Sequence, residues 1–175
     1  MVKNFAIVLS LIIGVSALVI SLTNMQTKLV FVDMNALYSE FALSKELNKN
    51  LETVIKSRKK IVDSLYNVLQ DKTFEMKTKN ITSKEAIEYM AKLEQEFYYK
   101  EQDFEKQNQE SNREYNIKIW NQLNQYVEDY GKENKCTFVY GANGQGSIMF
   151  ADEKNNHTKL IIQYVNDRYN GIIKK

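Results

Sequence analysis

The chain has 175 residues and a formal net charge of +2, with 24 Lys and Arg against 22 Asp and Glu. So small an imbalance excludes a strong pull toward nucleic acid. A single cysteine, Cys136, and a single histidine, His157, exclude an intramolecular disulfide and a His/Cys metal cluster, and leave a Ser-His-Asp triad without a well-placed base.

The first residues read as an address or an anchor. Lys3 precedes an apolar run over 5–22. Eighteen helical residues reach about 27 Å, close to a bilayer core of roughly 30 Å. The exit at Ser21-Leu22-Thr23 is a poor cleavage site. An uncleaved inner-membrane anchor is therefore preferred, with a cleaved signal as the alternative and a buried core helix behind both. Lys3 keeps the N-terminus inside, so the rest of the chain lies on the far side of the membrane.

"KLVFVDM" (Lys28–Met34) is β-branched and aromatic and predicts a strand. Asp33 or Asn35 is the candidate N-cap of a following helix. There is no proline, and no glycine falls between Gly14 and Gly131. Turns recruit both residues, so the stretch between predicts very long helices. Leu47, Leu51, Val54, Ile61, Leu65 and Val68 recur at spacings of three and four, with Arg58 at the intervening heptad position. They predict a coiled-coil seam. The pattern breaks at Asn80, Thr82 and Ser83, and Ser83 opens a second helix reaching about Tyr130, with Gly131 as the stop. Its middle, "EQDFEKQNQESNREYN", has little to bury. From Lys45 to Lys84 there are ten basic and five acidic residues, and from Glu85 to Glu133 six and twelve. Opposite signs suit an antiparallel hairpin with arms of roughly 65–70 Å.

Beyond the hairpin, "CTFVYGANGQGSIMFAD" predicts strands at Cys136–Tyr140 and Ser147–Ala151, joined by Asn143-Gly144 as a β-hairpin. A final amphipathic helix follows, with Leu160, Ile161, Tyr164, Val165 and Tyr169 apolar. The glycine-rich loop lacks the Lys-Ser/Thr of a phosphate cradle and leads into a strand, so it reads as a turn. Asp152 and Glu153 would point to opposite faces and make a poor acid/base pair. His157 reads as a capping or surface residue, and Asn156-His157-Thr158 fits a glycosylation pattern that matters only in a glycosylating host. Cys136 reads as a small buried residue at a strand start.

Taken in order, one strand, a long helical hairpin, two strands and a last helix are too few strands for a self-sufficient sheet. "KLVFVDMNALYSEF" and "KENKCTFVYGANGQGSIMFADEKNNHTKLIIQYVNDRY", around a glycine-free charged hairpin, resemble the OmpH/Skp family of periplasmic chaperones over about residues 28–170. The family's aspartate-aliphatic-threonine pattern becomes Asn156-His157-Thr158 here, while the ending from Asn166 to Tyr169 is kept. The apolar N-terminus looks more like membrane-tethered relatives.

The resemblance implies an α+β, mostly α fold: a coiled-coil tentacle on a small β body that forms a homotrimer. Its parts are a signal or anchor at 1–26, a first strand at 27–36, the hairpin at 37–133, and a β-hairpin with the last helix at 134–175. Val30, Val32, Phe138, Tyr140, Ile148 and Phe150 would build the oligomer body. Phe97, Tyr98, Tyr99 and Phe104 would either pack the hairpin or touch a client protein. The implied activity is an ATP-independent holdase for unfolded outer-membrane or envelope proteins on the periplasmic side of a bacterial envelope. No catalytic, metal or cofactor residues, nucleic acid or small-molecule substrate are expected, and the chain is not expected to be an enzyme. The alternative is a membrane-anchored coiled-coil scaffold or tether holding one folded envelope partner.

Overall fold

The architecture is that of a computed structural model, which describes residues 27–172. The apolar run at 5–22 lies outside the described residues. Among the described residues no helix is long and apolar enough to cross a membrane.

Strand β1 (Leu29–Asp33) points Val30 and Val32, each 3% exposed, into the chain's own core. Asp33 ends it and caps helix α1 (Met34–Glu40), its Oδ1 accepting from the Asn35 and Ala36 backbone N–H groups at 2.8 and 3.1 Å. Those donors have no partner within the helix, so an aspartate fits there.

Phe41 then breaks the helix in an extended conformation, and α2 (Ala42–Thr78) leaves in a new direction. The break is tied by Asn166, which accepts from the Ala42 N–H at 2.7 Å and donates to the Glu40 carbonyl at 3.0 Å. Asn166→Ala is expected to cost about 1–2 kcal/mol, because two backbone groups lose their partner at once. A chemical denaturation midpoint equal to that of the parent would contradict this role.

Helix α2 ends in a turn that needs no glycine. Asn80 takes the left-handed conformation at φ 48°, and the Ile81 N–H closes on the Met76 carbonyl at 3.0 Å. Asparagine tolerates this geometry best among ordinary residues. Ser83, as expected, caps α3 (Lys84–Glu133). By rise per residue the two helices measure roughly 55 and 75 Å. They are unequal because the end of α3 runs through the base, where Ile119, Leu123 and Tyr130 are buried with Leu37, Phe41, Leu47, Ile161 and Val165.

Gly131 is not the stop. The helix runs through it to Glu133, and Lys135 supplies the left-handed residue at φ 53° while the Cys136 N–H caps the Gly131 carbonyl at 2.9 Å. Gly131 instead faces the Val139 side chain, with ordinary contact room for one more carbon.

Strand β2 (Phe138–Ala142) pairs parallel with β1, Leu29 opposite Phe138 through Asp33 opposite Ala142. The hairpin carries the chain out and back, and the turn after α3 re-aims it along β1. Gly141 sits where an added Cβ would meet the flexible end of the Met34 side chain, which would have to move aside.

The expected β-hairpin does not form. Gly144 and Gly146 turn the chain at φ 73° and 90°, but 147–151 is irregular and does not pair with β2. The second edge of β1 is taken at one point by the chain before α4 (Thr158–Tyr169): Phe31 bridges to Asn156, and the His157 N–H donates to the Phe31 carbonyl at 2.9 Å. On α4, Ile161 and Val165 are fully buried, whereas Leu160 is exposed.

The hairpin buries two separate clusters. One is the base; the other lies toward the tip and joins Leu69, Leu93 and Phe97, flanked by Val62, Leu65 and Met90. Between them the helices meet through Arg58, whose Nη1 donates to Asn108 Oδ1 at 2.6 Å. Of the expected seam, Leu47 and Leu51 are buried and Leu65 half-buried, but Val54, Ile61 and Val68 are exposed. The contact line has rotated onto Val62 and Leu69. Nor do opposite charges bridge the arm. Among the described residues no ion pair joins α2 to α3; those on the arm are within one helix, such as Lys59–Asp63 and Lys106–Glu110.

Candidate functional site

Two surfaces stand out. The first is the open face of the two-stranded sheet. Because side chains alternate along a strand, burial of Val30 and Val32 sends Leu29 and Phe31 to the other side. Leu29, Phe138 and Tyr140 are exposed, and the rings of the last two stack at 5.6 Å. Across this face the irregular segment presents Met149 and Phe150, which are 89% and 88% exposed. Between segment and strands lies an apolar groove of about 580 Å³, lined by Leu29, Phe31, Tyr140, Ile148, Met149 and Phe150 among others.

Of the six residues expected in the oligomer body, Phe138, Tyr140, Ile148 and Phe150 border this face. Val32 does not: it is spent on the chain's own core, while Val30 is just as buried yet still contributes to the groove's lining. Leu29, Phe31 and Met149 share the face and were missed. The signal was present, since "LVFV" is a continuous apolar run rather than an alternating one, and such strands are covered on both faces.

The second surface runs along the arm. Of the four aromatics expected either to pack the hairpin or to touch a client, Phe97 packs: it is buried between Leu69 and Leu93. Tyr98 and Tyr99 are 58% and 64% exposed. Phe104 is half-buried, with the Arg58 guanidinium 5.9 Å and the Lys100 ammonium 5.6 Å from its ring centre. Tyr66 joins them, its ring 5.8 Å from that of Phe97, which in turn meets Tyr98 at 5.3 Å. A groove of about 440 Å³ opens on this side, with Arg58, Lys59 and Asp63 facing Glu101 and Glu105 across Tyr66 and Phe97.

Among the described residues no group of three His, Cys, Asp or Glu could hold a metal ion. Glu75 accepts from Lys72 and Lys79 at 2.8 Å each, and the two ammonium groups hold its carboxyl down at about 2. That ion cluster stands exposed near the arm's tip. Cys136 is half-buried just before β2, against the base core.

His157 caps nothing with its side chain. Its Nδ1 lies 2.8 Å from the hydroxyl of buried Tyr130, and the rings meet edge to face. The capping acceptor is Asn156, whose Oδ1 takes the Thr158 N–H at 3.0 Å and the Thr158 hydroxyl at 2.6 Å. An asparagine oxygen therefore accepts where a carboxylate would.

Burial lowers the His157 pKa, and the Lys28 ammonium pushes the same way. The folded chain resists the proton that the unfolded chain accepts near pH 6.5. Stability is therefore expected to fall as pH drops below about 6.5 and to level off once the folded imidazole is charged. His157→Leu is expected to flatten that slope in melting temperatures taken across pH 4.5–7.5; an unchanged slope would assign it to other groups.

The comparisons agree with this geometry. The family model described as "Outer membrane protein (OmpH-like)" matches residues 28–165. A crystal structure from Caulobacter crescentus CB15, of a protein described as an outer membrane chaperone (OmpH-like), superposes with a TM-score of 0.62 at 12% identity. The match covers 81% of this chain and 85% of that one, and at such identity the likeness is one of fold. No curated protein matches. With the family's model spanning most of its length, from β1 through the helical arm to Val165 in α4, the chain belongs to the OmpH-like family.

Proposed function

We propose that the chain is an ATP-independent holdase for unfolded outer-membrane or envelope proteins, acting on the periplasmic side and tethered through residues 5–22. The observation that carries this reading is the row of exposed aromatics, Tyr66, Tyr98 and Tyr99, on a long arm among charges of both signs. Aromatic rings offer large contact area at low conformational cost, and surrounding charges keep such a surface soluble until something binds. Many weak contacts of this kind hold varied partners without a hydrolysis cycle.

The reading includes assembly as a homotrimer through the open sheet face. A two-stranded sheet with Met149 and Phe150 standing in water is incomplete as a monomer's surface.

The test is suppression of aggregation of a denatured β-barrel protein by the purified chain, without nucleotide. Protection at a few-fold excess is expected, and none at that ratio would sink the proposal. Replacing Tyr66, Tyr98 and Tyr99 together by Ser is expected to weaken client binding by roughly tenfold or more. A single folded partner at fixed stoichiometry, with no affinity for unfolded protein, would favour a tether instead.

A further inference from the structure

Between β2 and α4 the chain crosses the open sheet face as a strap, residues 143–157. None of its side chains is buried, and Met149 and Phe150 stand almost wholly in water. A segment with so few buried apolar contacts opens at little cost, so its hydrogen bonds decide whether it stays. Several of these are local. The Ser147 hydroxyl lies 3.3 Å from the Gly141 carbonyl and 3.1 Å from Asn143 Oδ1, across the turn, while Asp152 accepts from the Lys154 N–H and Glu153 from Asn156 Nδ2. The ties to the base gather at the far end. There Asn156 bridges to Phe31, the His157 N–H donates to the Phe31 carbonyl at 2.9 Å, and His157 Nδ1 lies 2.8 Å from the Tyr130 hydroxyl. Just beyond, α4 is held independently: Thr158 Oγ1 accepts from the Asp33 N–H, and Ile161 and Val165 are fully buried.

The His157 side chain suits this junction only while it is neutral. A neutral imidazole accepts the Tyr130 O–H at Nδ1. An imidazolium has a proton on each nitrogen, so Nδ1 must donate. The Tyr130 hydroxyl has no second partner among the described residues, so its own proton would be left unpaired inside the base, where Tyr130 is 4% exposed. The surrounding groups do not compensate a positive ring. From α3 come Tyr130 and, near it, Cys136; from α4 come Tyr164, edge-on to Tyr130 at 5.3 Å, and exposed Lys159. From β1 come Asp33, whose carboxylate is engaged as the cap of α1, and Lys28, which bears the same sign as an imidazolium. Within the strap, Asp152 is paired with Lys154 and Glu153 is taken by Asn156.

We propose that His157 is a pH-sensitive latch: charging it frees the strap from β1, removes one wall of the apolar groove, and loosens the contact between copies across the open face. The consequence for assembly rests on the oligomeric reading above; the latch does not. Above about pH 6.5 the ring is neutral in either state and the strap is docked. As pH falls below that value the freed ring takes a proton that the docked ring resists, and docking weakens until the docked ring is charged too. Because the strap buries no side chain and α4 has its own anchors, the strain of a charged ring is relieved by lifting the strap rather than by unpacking the base.

Hydrogen exchange of the full chain, compared at about pH 5 and about pH 7.5 on either side of the free imidazole's pKa, reads the tie through the His157 amide. Expressed as protection, it is free of the intrinsic dependence of exchange on pH. Protection of the His157 N–H is expected to fall severalfold or more toward acid, and by no more than about tenfold per pH unit, since one proton is involved. The Val165 and Ile119 amides of the base should keep theirs. His157→Asn places an uncharged acceptor beside Tyr130 and is expected to hold the same protection at both pH values. Unchanged protection in the parent would overturn the latch. So would an equal fall in His157→Asn, which would assign it to another group, or an equal fall at Val165 and Ile119, which would make it an opening of the whole base. Light scattering over a dilution series reads the consequence: the parent is expected to dissociate at higher concentration at the lower pH, and His157→Asn at the same concentration at both. A responsive latch with an unresponsive mass overturns the link to assembly. A parent that is monomeric throughout overturns the oligomeric reading, and the exchange data then decide the latch by themselves.

Discussion

Phe41→Ala is expected to remove about 3–5 kcal/mol of stability, the range for truncating a fully buried phenylalanine. Phe41 is 0% exposed and sits where α1 breaks into α2. Its ring meets Tyr126 of α3 edge to face at 6.2 Å and Tyr169 of α4 at 5.5 Å. Three elements converge on this side chain, and each is held by backbone or by other contacts, so the site has little room to collapse into the vacancy. A domain of this size holds about 5–15 kcal/mol in all, so the loss is a large share of it. At about 2–4 °C per kcal/mol the melting temperature should fall by roughly 10 °C or more. The tip cluster of Leu69, Leu93 and Phe97 shares no buried residue with the base. Leu93→Ala is therefore expected to loosen the end of the arm while the base melts near its original temperature. A shift of only a degree or two in the Phe41 variant, by circular dichroism, would mean that the base is not one cooperative core.

The order of elements was legible because the residues behind it act locally. Asp33 caps from its own side chain, Asn80 and Ser83 turn the hairpin without help, and a glycine-free stretch of heptads has no other stable form. What was misread depended on partners far along the chain. Whether Val30 or Leu29 faces inward is set by α4, which lies about 130 residues later. Val54, Ile61 and Val68 obey the heptad as well as Leu47 does, and only the rotation of α3 against α2 decides which stripe is covered. Phe97 looked like Tyr98 and Tyr99 in a polar stretch, but its spacing from Leu93 puts it on the buried side. Ser147–Ala151 has the composition of a strand, yet two left-handed glycines carry the segment over the sheet face instead of along the open edge of β2. Charge was misleading in another way. The opposite signs of α2 and α3 agree with their pairing, but the contacts that join them are aliphatic or neutral, with Arg58 and Asn108 the polar exception.

Phe138→Asp with Phe150→Asp is expected to convert the proposed trimer to monomers while leaving the fold in place. Both side chains stand on the open face: Phe138 stacks on Tyr140, and Phe150 is almost wholly in water in the isolated chain. Neither contributes to the base core, where Val32 serves the inward face of the same sheet. In the monomer a carboxylate at either position remains hydrated and costs little. In an assembly that buries the face, two carboxylates per copy would lose their water with no cation opposite, since the groove lining contains no lysine or arginine. Each lost aromatic anchor removes about 2 kcal/mol or more from such an interface, and the stranded charge adds to this. An apparent association constant reduced by a factor of roughly a thousand or more follows. Ile117→Asp, which places the same charge on an exposed apolar position of the arm, is expected to leave the mass unchanged. Light scattering on the three proteins decides between a specific face and general stickiness. If the double variant keeps the parent's mass, the open face of the sheet is not where the copies meet. If the parent itself is a monomer, Met149 and Phe150 must be covered by something other than a second copy of the chain.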